Sequence, residues 1–451
     1  MPDKPYTLFS NRDLFRLLVP LFIEQLLFIA VGSADAIMVA RLGEASISSV
    51  SLVDMANVFI GNVFYALSTG GAVVASQFIG AGRKDRARES AWHLLVVSCA
   101  VSLVITGLCE AFNRPFLRLL FGELEETVMR QSLTYFRITA LAYPFIALYG
   151  ACAALFRSQN QARTTMRISL LSNLVNITGN AVLIYGFRLG VAGAALATLT
   201  AHAVGMSVAL VRLCNPQLDI CLCFSRGFSF SWNMFRRILT IGVPSGIEGG
   251  IFQFGRLMVL GLIAKYGTAE IASNAVANQM DYFGIIVGNA FSLGTLTIVG
   301  QCVGAGSEPQ LRYYVRKVMA WAYGAHVAWN LLLFAFMPLI LLCYSKLTPS
   351  TLRLAVFLIV IHNGLGMLFW PLSFVFPNIL RAANDVKYTM CVSVASMLVI
   401  RVAGSYLLAP AVHSGAIAVW IAMVGDWILR CSLFLHRYRS GKWRANAHLR
   451  P

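Results

Sequence analysis

A helix crosses the hydrocarbon core of a bilayer with about 20 apolar residues. Twelve runs of roughly that length or more follow one another in this chain. The first six lie near 14–40, 46–78, 91–112, 132–156, 165–187 and 191–212. The other six lie near 238–264, 270–302, 314–344, 352–380, 388–409 and 413–436. They lack the two-residue alternation of barrel strands and are far longer than such strands need, so a closed barrel is excluded. Only 12% of the residues are charged, against about 25% in soluble domains, so the chain has too little polar surface to dissolve. The pattern specifies an all-α membrane protein with twelve transmembrane helices.

The formal net charge is +17. A nucleic-acid partner is not implied, because the basic residues sit in short clusters between apolar runs, as cytoplasmic loops beside an anionic leaflet do. If the N-terminus is inside, the inner segments from Lys4 to Arg450 hold 25 Lys and Arg and the outer segments hold 8. Arg137, Arg256 and Arg401 lie within spans. Both termini are therefore expected in the cytoplasm, with the protein multi-pass in the cytoplasmic (inner) membrane and surrounded by its lipids. No cleavable signal peptide is evident, since the first apolar run is too long.

The second half of the chain repeats the first at a fixed offset of 224 residues. Pro20-Leu-Phe-Ile-Glu24 recurs as Pro244-Ser-Gly-Ile-Glu248, and Gly43-Glu-Ala-Ser-Ile47 as Gly267-Thr-Ala-Glu-Ile271. Gln77-Phe-Ile-Gly-Ala-Gly82 recurs as Gln301-Cys-Val-Gly-Ala-Gly306, and Arg157-Ser-Gln-Asn160 as Arg381-Ala-Ala-Asn384. The expected organisation is two pseudo-symmetric six-helix bundles. The N-terminal bundle covers 1–212, a cytoplasmic linker 213–237, and the C-terminal bundle with a basic cytoplasmic tail 238–451. Six spans is an even number, so the copies enter the membrane from the same side as parallel repeats, a common plan for alternating-access transporters.

A charged group inside a span costs roughly 2.5–3.5 kcal/mol or more, so each needs a reason. Glu24, Phe28, Gly32 and Asp35 share one face of span one, roughly 16 Å from end to end. That face cannot look at lipid. Span seven repeats the glutamate as Glu248 but has Val259 in place of Asp35. Span two carries Asp54 and Asn57, and span eight carries Asn278 and Asp281 at the equivalent positions. Each of these acids is either a functional group or a hydrogen-bonded tie between helices. Asn173, Asn176 and Asn180 run along span five, where both cation coordination and polar helix packing fit. Asp426 with Arg430 four residues later reads as a structural pair.

Other features carry less chemistry. His202, His326 and His362 are isolated and show no metal-ligand spacing. The ten cysteines read as reduced packing residues, and Cys221 with Cys223 lacks the partners of a zinc site. Gly80-Ala-Gly82 and Gly304-Ala-Gly306 are turns without the Lys-Ser/Thr of a phosphate loop. No cofactor or nucleotide site is expected, so the energy source is an ion gradient. The aromatic run from Phe369 to Pro377, which contains Trp370, reads either as a kinked gate with cation–π surfaces or as ordinary packing.

Taken together these residues resemble the MATE (multidrug and toxic compound extrusion) family. The resemblance rests on Pro20 with Ala34-Asp35 in span one and on Ala75-Ser-Gln77-Phe-Ile-Gly80-Ala-Gly82 after span two. It rests also on Asn176-Ile, Leu183-Ile-Tyr-Gly186 and Val191-Ala-Gly-Ala-Ala195 in spans five and six, and on Leu380-Arg381 with Asp385 after span ten. It implies a non-enzymatic antiporter of twelve helices that exports cationic or amphipathic compounds in exchange for H⁺ or Na⁺. Asp35 matches the family's coupling aspartate, and Asn180 stands where one branch has a second acid. Glu248 lies one turn nearer the cytoplasm than the family's glutamate of span seven. Span ten offers Trp370 where members carry an acid.

The expected ion-coupling residues are Asp35, Asp54, Asn176 and Asn180. The expected substrate-binding residues are Glu24, Glu248, Phe28, Trp370 and Asp281, with the two glutamates attracting a cationic substrate. The partners are a small organic substrate and one coupling ion, and a monomer is expected. A proton needs one carboxylate, whereas sodium wants several converging oxygens, so H⁺ is the favoured ion. The alternatives are a flippase for lipid-linked precursors, needing several cavity arginines, and a membrane-embedded enzyme, needing clustered catalytic groups at one depth.

Overall fold

The computed structural model describes residues 8–222, 230–344 and 347–447. Lys4, Arg226, Lys346, Arg450 and Cys223, counted above, lie outside the described residues. The described residues are almost all helical, with no strand among them. Spans one to three are Asn11–Ala40, Glu44–Gly80 and Lys84–Ala111. Span four is a pair, Glu126–Ala140 and Tyr143–Ser158, bent by 44°. Spans five and six are Ala162–Gly186 and Gly190–Leu213. Span seven is Trp232–Ala264. Span eight is broken into Thr268–Gly284 and Ile286–Gly304. Spans nine to twelve are Glu308–Leu342, Pro349–Ala382, Val386–Val412 and Gly415–Arg439.

Local chemistry explains many of the boundaries. Ser10 and Asp13 form a capping box that starts span one and satisfies its first free amides. Thr348 and Ser414 cap spans ten and twelve in the same way. The duplication is visible in the backbone itself. Gly43 and Gly267 have φ of 108° and 106°, and Gly82 and Gly306 have 70° and 69°. Asn160 and Asn384 have 61° and 64°. Each pair is separated by the same 224 residues, so the repeated motifs end their helices with the same left-handed turn, which glycine and asparagine tolerate best. Pro20 and Pro244 lie inside spans one and seven, where packing against neighbouring helices re-satisfies the interrupted backbone.

Two compact units emerge, Phe9–Gly246 and Ile247–Pro451, and the division falls inside span seven. In the first unit, Val53, Phe64, Phe136, Tyr143 and Ala195 belong to one buried apolar cluster. The cytoplasmic half of span seven packs tightly on span two. A Cβ on Gly70 would stand 2.5 Å from the Ile238 carbonyl oxygen and 3.0 Å from the Gly242 nitrogen. In the second unit, Asp426 and Arg430 make the expected pair at 2.8 Å, with both side chains buried. Arg430 is also held by Ser396 Oγ at 2.9 Å and the Ser393 carbonyl at 3.2 Å.

Candidate functional site

In the N-terminal unit, polar residues from four spans meet around Asp35. Asn180 Nδ2 donates to Asp35 Oδ1 at 2.6 Å and to Asn176 Oδ1 at 3.3 Å. Asn176 Nδ2 in turn donates to Thr198 Oγ1 of span six at 3.3 Å. Asn176 and Asn180 are buried, and Asn180 Oδ1 has no hydrogen-bond partner. Immediately after Asn180 the helix widens into a π-helical stretch, Ala181–Gly186. Such widenings displace side chains from the ordinary helical register and concentrate at functional sites.

Asp54 is close enough to Asp35 for their charges to interact. Its Oδ1 accepts from Tyr135 at 3.3 Å and from Asn57 at 3.4 Å. Tyr143 donates to Asn57 Oδ1 at 2.8 Å. Asp54 keeps exposed surface and Asp35 is half-buried. A carboxylate exposed partway along a span faces water rather than lipid, so this face of the unit is wetted. All four expected ion-coupling residues thus fall in one hydrogen-bonded group. Tyr135, Tyr143 and Thr198 join it unforeseen, and the signal that pointed to Asp54, a polar group within an apolar run, would also have found Thr198.

The two glutamates are held differently from what was expected of them. Arg157 lies 3.8 Å from Glu24, and Thr165 donates to Glu24 Oε2 at 3.0 Å. Arg381 pairs with Glu248 at 2.7 Å and also donates to Asn378 Oδ1 at 2.7 Å. Both pairs belong to the repeated motifs and recur at the 224-residue offset. An arginine beside each carboxylate cancels most of the field that would draw a cation, so the geometry gives each pair the task of tying a proline-containing span to the end of span four or ten. Phe28, 77% exposed, presents an open aromatic face. Trp370 does not. It is 5% exposed and stacked between His326 and Phe374, with ring centroids 5.5 and 4.8 Å away.

Asp281 belongs to a polar group of the C-terminal unit. His362 Nε2 lies 3.1 Å from its Oδ1. His362, Asn363, Asn330 and His326 are all buried and continue the group into span nine through Asn363 Nδ2, which donates to Asn330 Oδ1 at 3.0 Å. His326 and His362, isolated in sequence, therefore share one cluster. Arg401 is buried in span eleven with its Nε unpartnered, and Arg256 donates to the Tyr282 hydroxyl at 3.2 Å. Among the described residues no group of three His, Cys, Asp or Glu could hold a metal ion.

Two six-span halves with repeated turns, polar groups within the membrane and a wetted carboxylate face define a multi-pass membrane transporter. The comparisons with known proteins specify which kind. The family profile described as MatE matches residues 20–182 and again 244–407, so it covers both halves, and the chain belongs to this family of multidrug efflux transporters. It is 26% identical over 447 residues to the uncharacterized transporter YisQ of Bacillus subtilis, covering 98% of this chain and 95% of that protein. It is 24% identical to the probable multidrug resistance protein NorM of Thermotoga maritima, covering 98% of each. Among solved structures, MATE in its bent conformation superposes with a TM-score of 0.86 at 21% identity, covering 97% of both chains.

Proposed function

We propose that this chain exports small cationic or amphipathic organic compounds in exchange for protons, with Asp35 as the coupling carboxylate. The observation that carries the reading is the Asp35–Asn180 contact beside Asp54, on a face of the N-terminal unit that meets water. A proton and a cationic substrate both act on the charge of that carboxylate, so loading one favours release of the other. Such reciprocal linkage is what exchange requires.

Proton rather than sodium is supported by what surrounds Asp35. The group that reaches its Oδ1 is the amide nitrogen of Asn180, a donor that repels a metal cation rather than coordinating it. Asp54 and Asn176 remain close by, and proton exchange between Asp35 and Asp54 needs no further ligand. Phe28, on the Asp35 face of span one, supplies an exposed ring for a flat cation. The orientation that suits this reading is the one with both termini in the cytoplasm, which places the basic segments beside the anionic leaflet of the inner membrane.

The decisive measurement is uptake of a fluorescent cationic drug into proteoliposomes under imposed gradients. A pH gradient at constant Na⁺ drives accumulation in this reading, and a Na⁺ gradient at constant pH does not. Accumulation that follows Na⁺ and ignores pH overturns the choice of ion. One observation favours a second reading, export of lipid-linked anionic precursors. Arg401 carries a buried cationic group whose Nε has no partner. In that case neither gradient moves the drug, and a pyrophosphate-bearing lipid competes for the protein.

A further inference from the structure

The hydrogen-bond chain of the C-terminal unit has a polarity that its ends dictate. Asn330 Nδ2 donates to two backbone carbonyls, Gly284 at 3.2 Å and His326 at 2.9 Å. Carbonyls only accept, so Asn330 must present its Oδ1 to the next residue. Asn363 Nδ2 donates to that oxygen at 3.0 Å, which turns Asn363 Oδ1 toward His362 Nδ1, 3.1 Å away. The imidazole must therefore carry hydrogen on Nδ1. A neutral imidazole has only one such hydrogen, and Nε2 would then offer a bare lone pair to Asp281 Oδ1 at 3.1 Å. That oxygen is buried and receives no hydrogen bond from any other group. Two lone pairs facing each other at this distance repel. One additional proton removes the conflict.

We propose that the Asp281–His362 pair is a reversible proton-binding site of the C-terminal unit, holding one proton in the arrangement seen here. The proton adds to His362 Nε2, so that an imidazolium faces a carboxylate, and no other bond is made or broken. The charges around the pair suit both states. Loaded, it is internally neutral. Emptied, it leaves the Asp281 carboxylate facing Arg401 and Arg256, the cations of spans eleven and seven that act on His362. From span nine the titratable neighbour is His326. Span twelve contributes the rings of Trp420 and Trp427, 5.0 and 4.7 Å from the imidazole.

The duplication argues that the pair is not a requirement of the fold. At the same offset the first half has Asn57 for Asp281, Ile138 for His362, Thr139 for Asn363 and Thr106 for Asn330. The N-terminal unit builds the same spans without this cluster. The chain of amides also ends at a mechanically meaningful point. Gly284 is where span eight breaks, and Trp329 Nε1 caps the adjacent Phe283 carbonyl at 2.7 Å. The protonation state of His362 is thereby tied to the break. The site does not depend on the export reading, in which it would supply a second coupling proton.

The test is nuclear magnetic resonance of the full chain in lipid nanodiscs with its seven histidines carbon-13 labelled, titrated from about pH 5 to pH 9. The His362 signal is identified by its loss in His362→Gln. Where that variant does not fold, it is the signal that moves in the isosteric Asp281→Asn. Expected are a reversible change from imidazolium to neutral imidazole across this range and a midpoint lowered by Asp281→Asn by roughly one pH unit, a tenfold loss of proton affinity. A signal that stays constant throughout, neutral or charged, overturns the proposal, as does a midpoint that ignores Asp281→Asn. The readout needs no transported compound, so a failure of the export reading leaves it intact.

Discussion

Replacing Asp35 by asparagine separates what the carboxylate does for folding from what it does for coupling. Asparagine has nearly the same shape, and its side-chain oxygen can still accept from Asn180 Nδ2, now at 2.6 Å from Asp35 Oδ1. The lost stability is the difference between a hydrogen bond to a charge, roughly 1.5–3 kcal/mol, and a neutral one, about 1 kcal/mol. A loss on the order of 1 kcal/mol lowers a melting midpoint by roughly 2–4 °C for a unit of this size. The functional loss is far larger. With one proton exchanged per monovalent cation, each pH unit is a factor of ten, about 1.4 kcal/mol. Two units of ΔpH then permit roughly 100-fold accumulation of drug in wild-type inside-out vesicles. Asp35→Asn has no exchangeable proton at this position and accumulates essentially none. The assay is drug uptake with an acid lumen in Na⁺-free buffer, run beside a thermal melt of the purified variant. An Asp35→Asn protein that folds and still accumulates drug to near the wild-type level refutes the assignment.

Three further outcomes follow from contacts in the two units. Asp426→Leu leaves Arg430 buried without its carboxylate and costs about 3–5 kcal/mol, whereas Asp426→Leu with Arg430→Met costs much less; equal midpoints for the single and double variants in detergent melts would contradict this. Gly70→Ala drives a methyl group toward the Ile238 carbonyl 2.5 Å away and costs roughly 1–3 kcal/mol; an unchanged midpoint for this variant would mean that spans two and seven yield freely. Glu248→Gln strands Arg381, which loses a 2.7 Å partner, and destabilises the protein more than Glu24→Gln, whose arginine stands at 3.8 Å; Arg381→Gln added to Glu248→Gln restores part of the loss, as read by the same melts.

Much of the candidate site was visible residue by residue and very little of it contact by contact. Asp35, Asp54, Asn176 and Asn180 stand out because polar groups are expensive in hydrocarbon, and that expense is a local property. Their assembly is not local, since Asn180 and Asp35 are separated by 145 positions. Trp370 illustrates the converse. Its aromatic run allows a gate or packing, and only the glycine at 288, lying under the indole, together with His326 and Phe374 stacked on it, shows a buried ring. Glu24 and Glu248 were legible as intramembrane acids, but the arginines that neutralise them lie 133 residues away in both halves.

What this sequence determines by itself is the solvent, the number of spans, the duplication and the turns that repeat with it. Each of these follows from interactions within a few residues, namely the hydropathy of a helix length, a proline, or a glycine or asparagine that accepts a left-handed backbone. Tertiary structure decided which face of each helix meets which neighbour. The breaks in spans four and eight and the π-helical turns in spans five, ten and eleven rotate everything beyond them, so a strict 3.6-residue count loses register there. The pairing of Asp281 with His362 is the clearest case. Both residues were in view, 81 positions apart, and the packing of spans eight, nine and ten around the break at Gly284 turned two isolated side chains into one site.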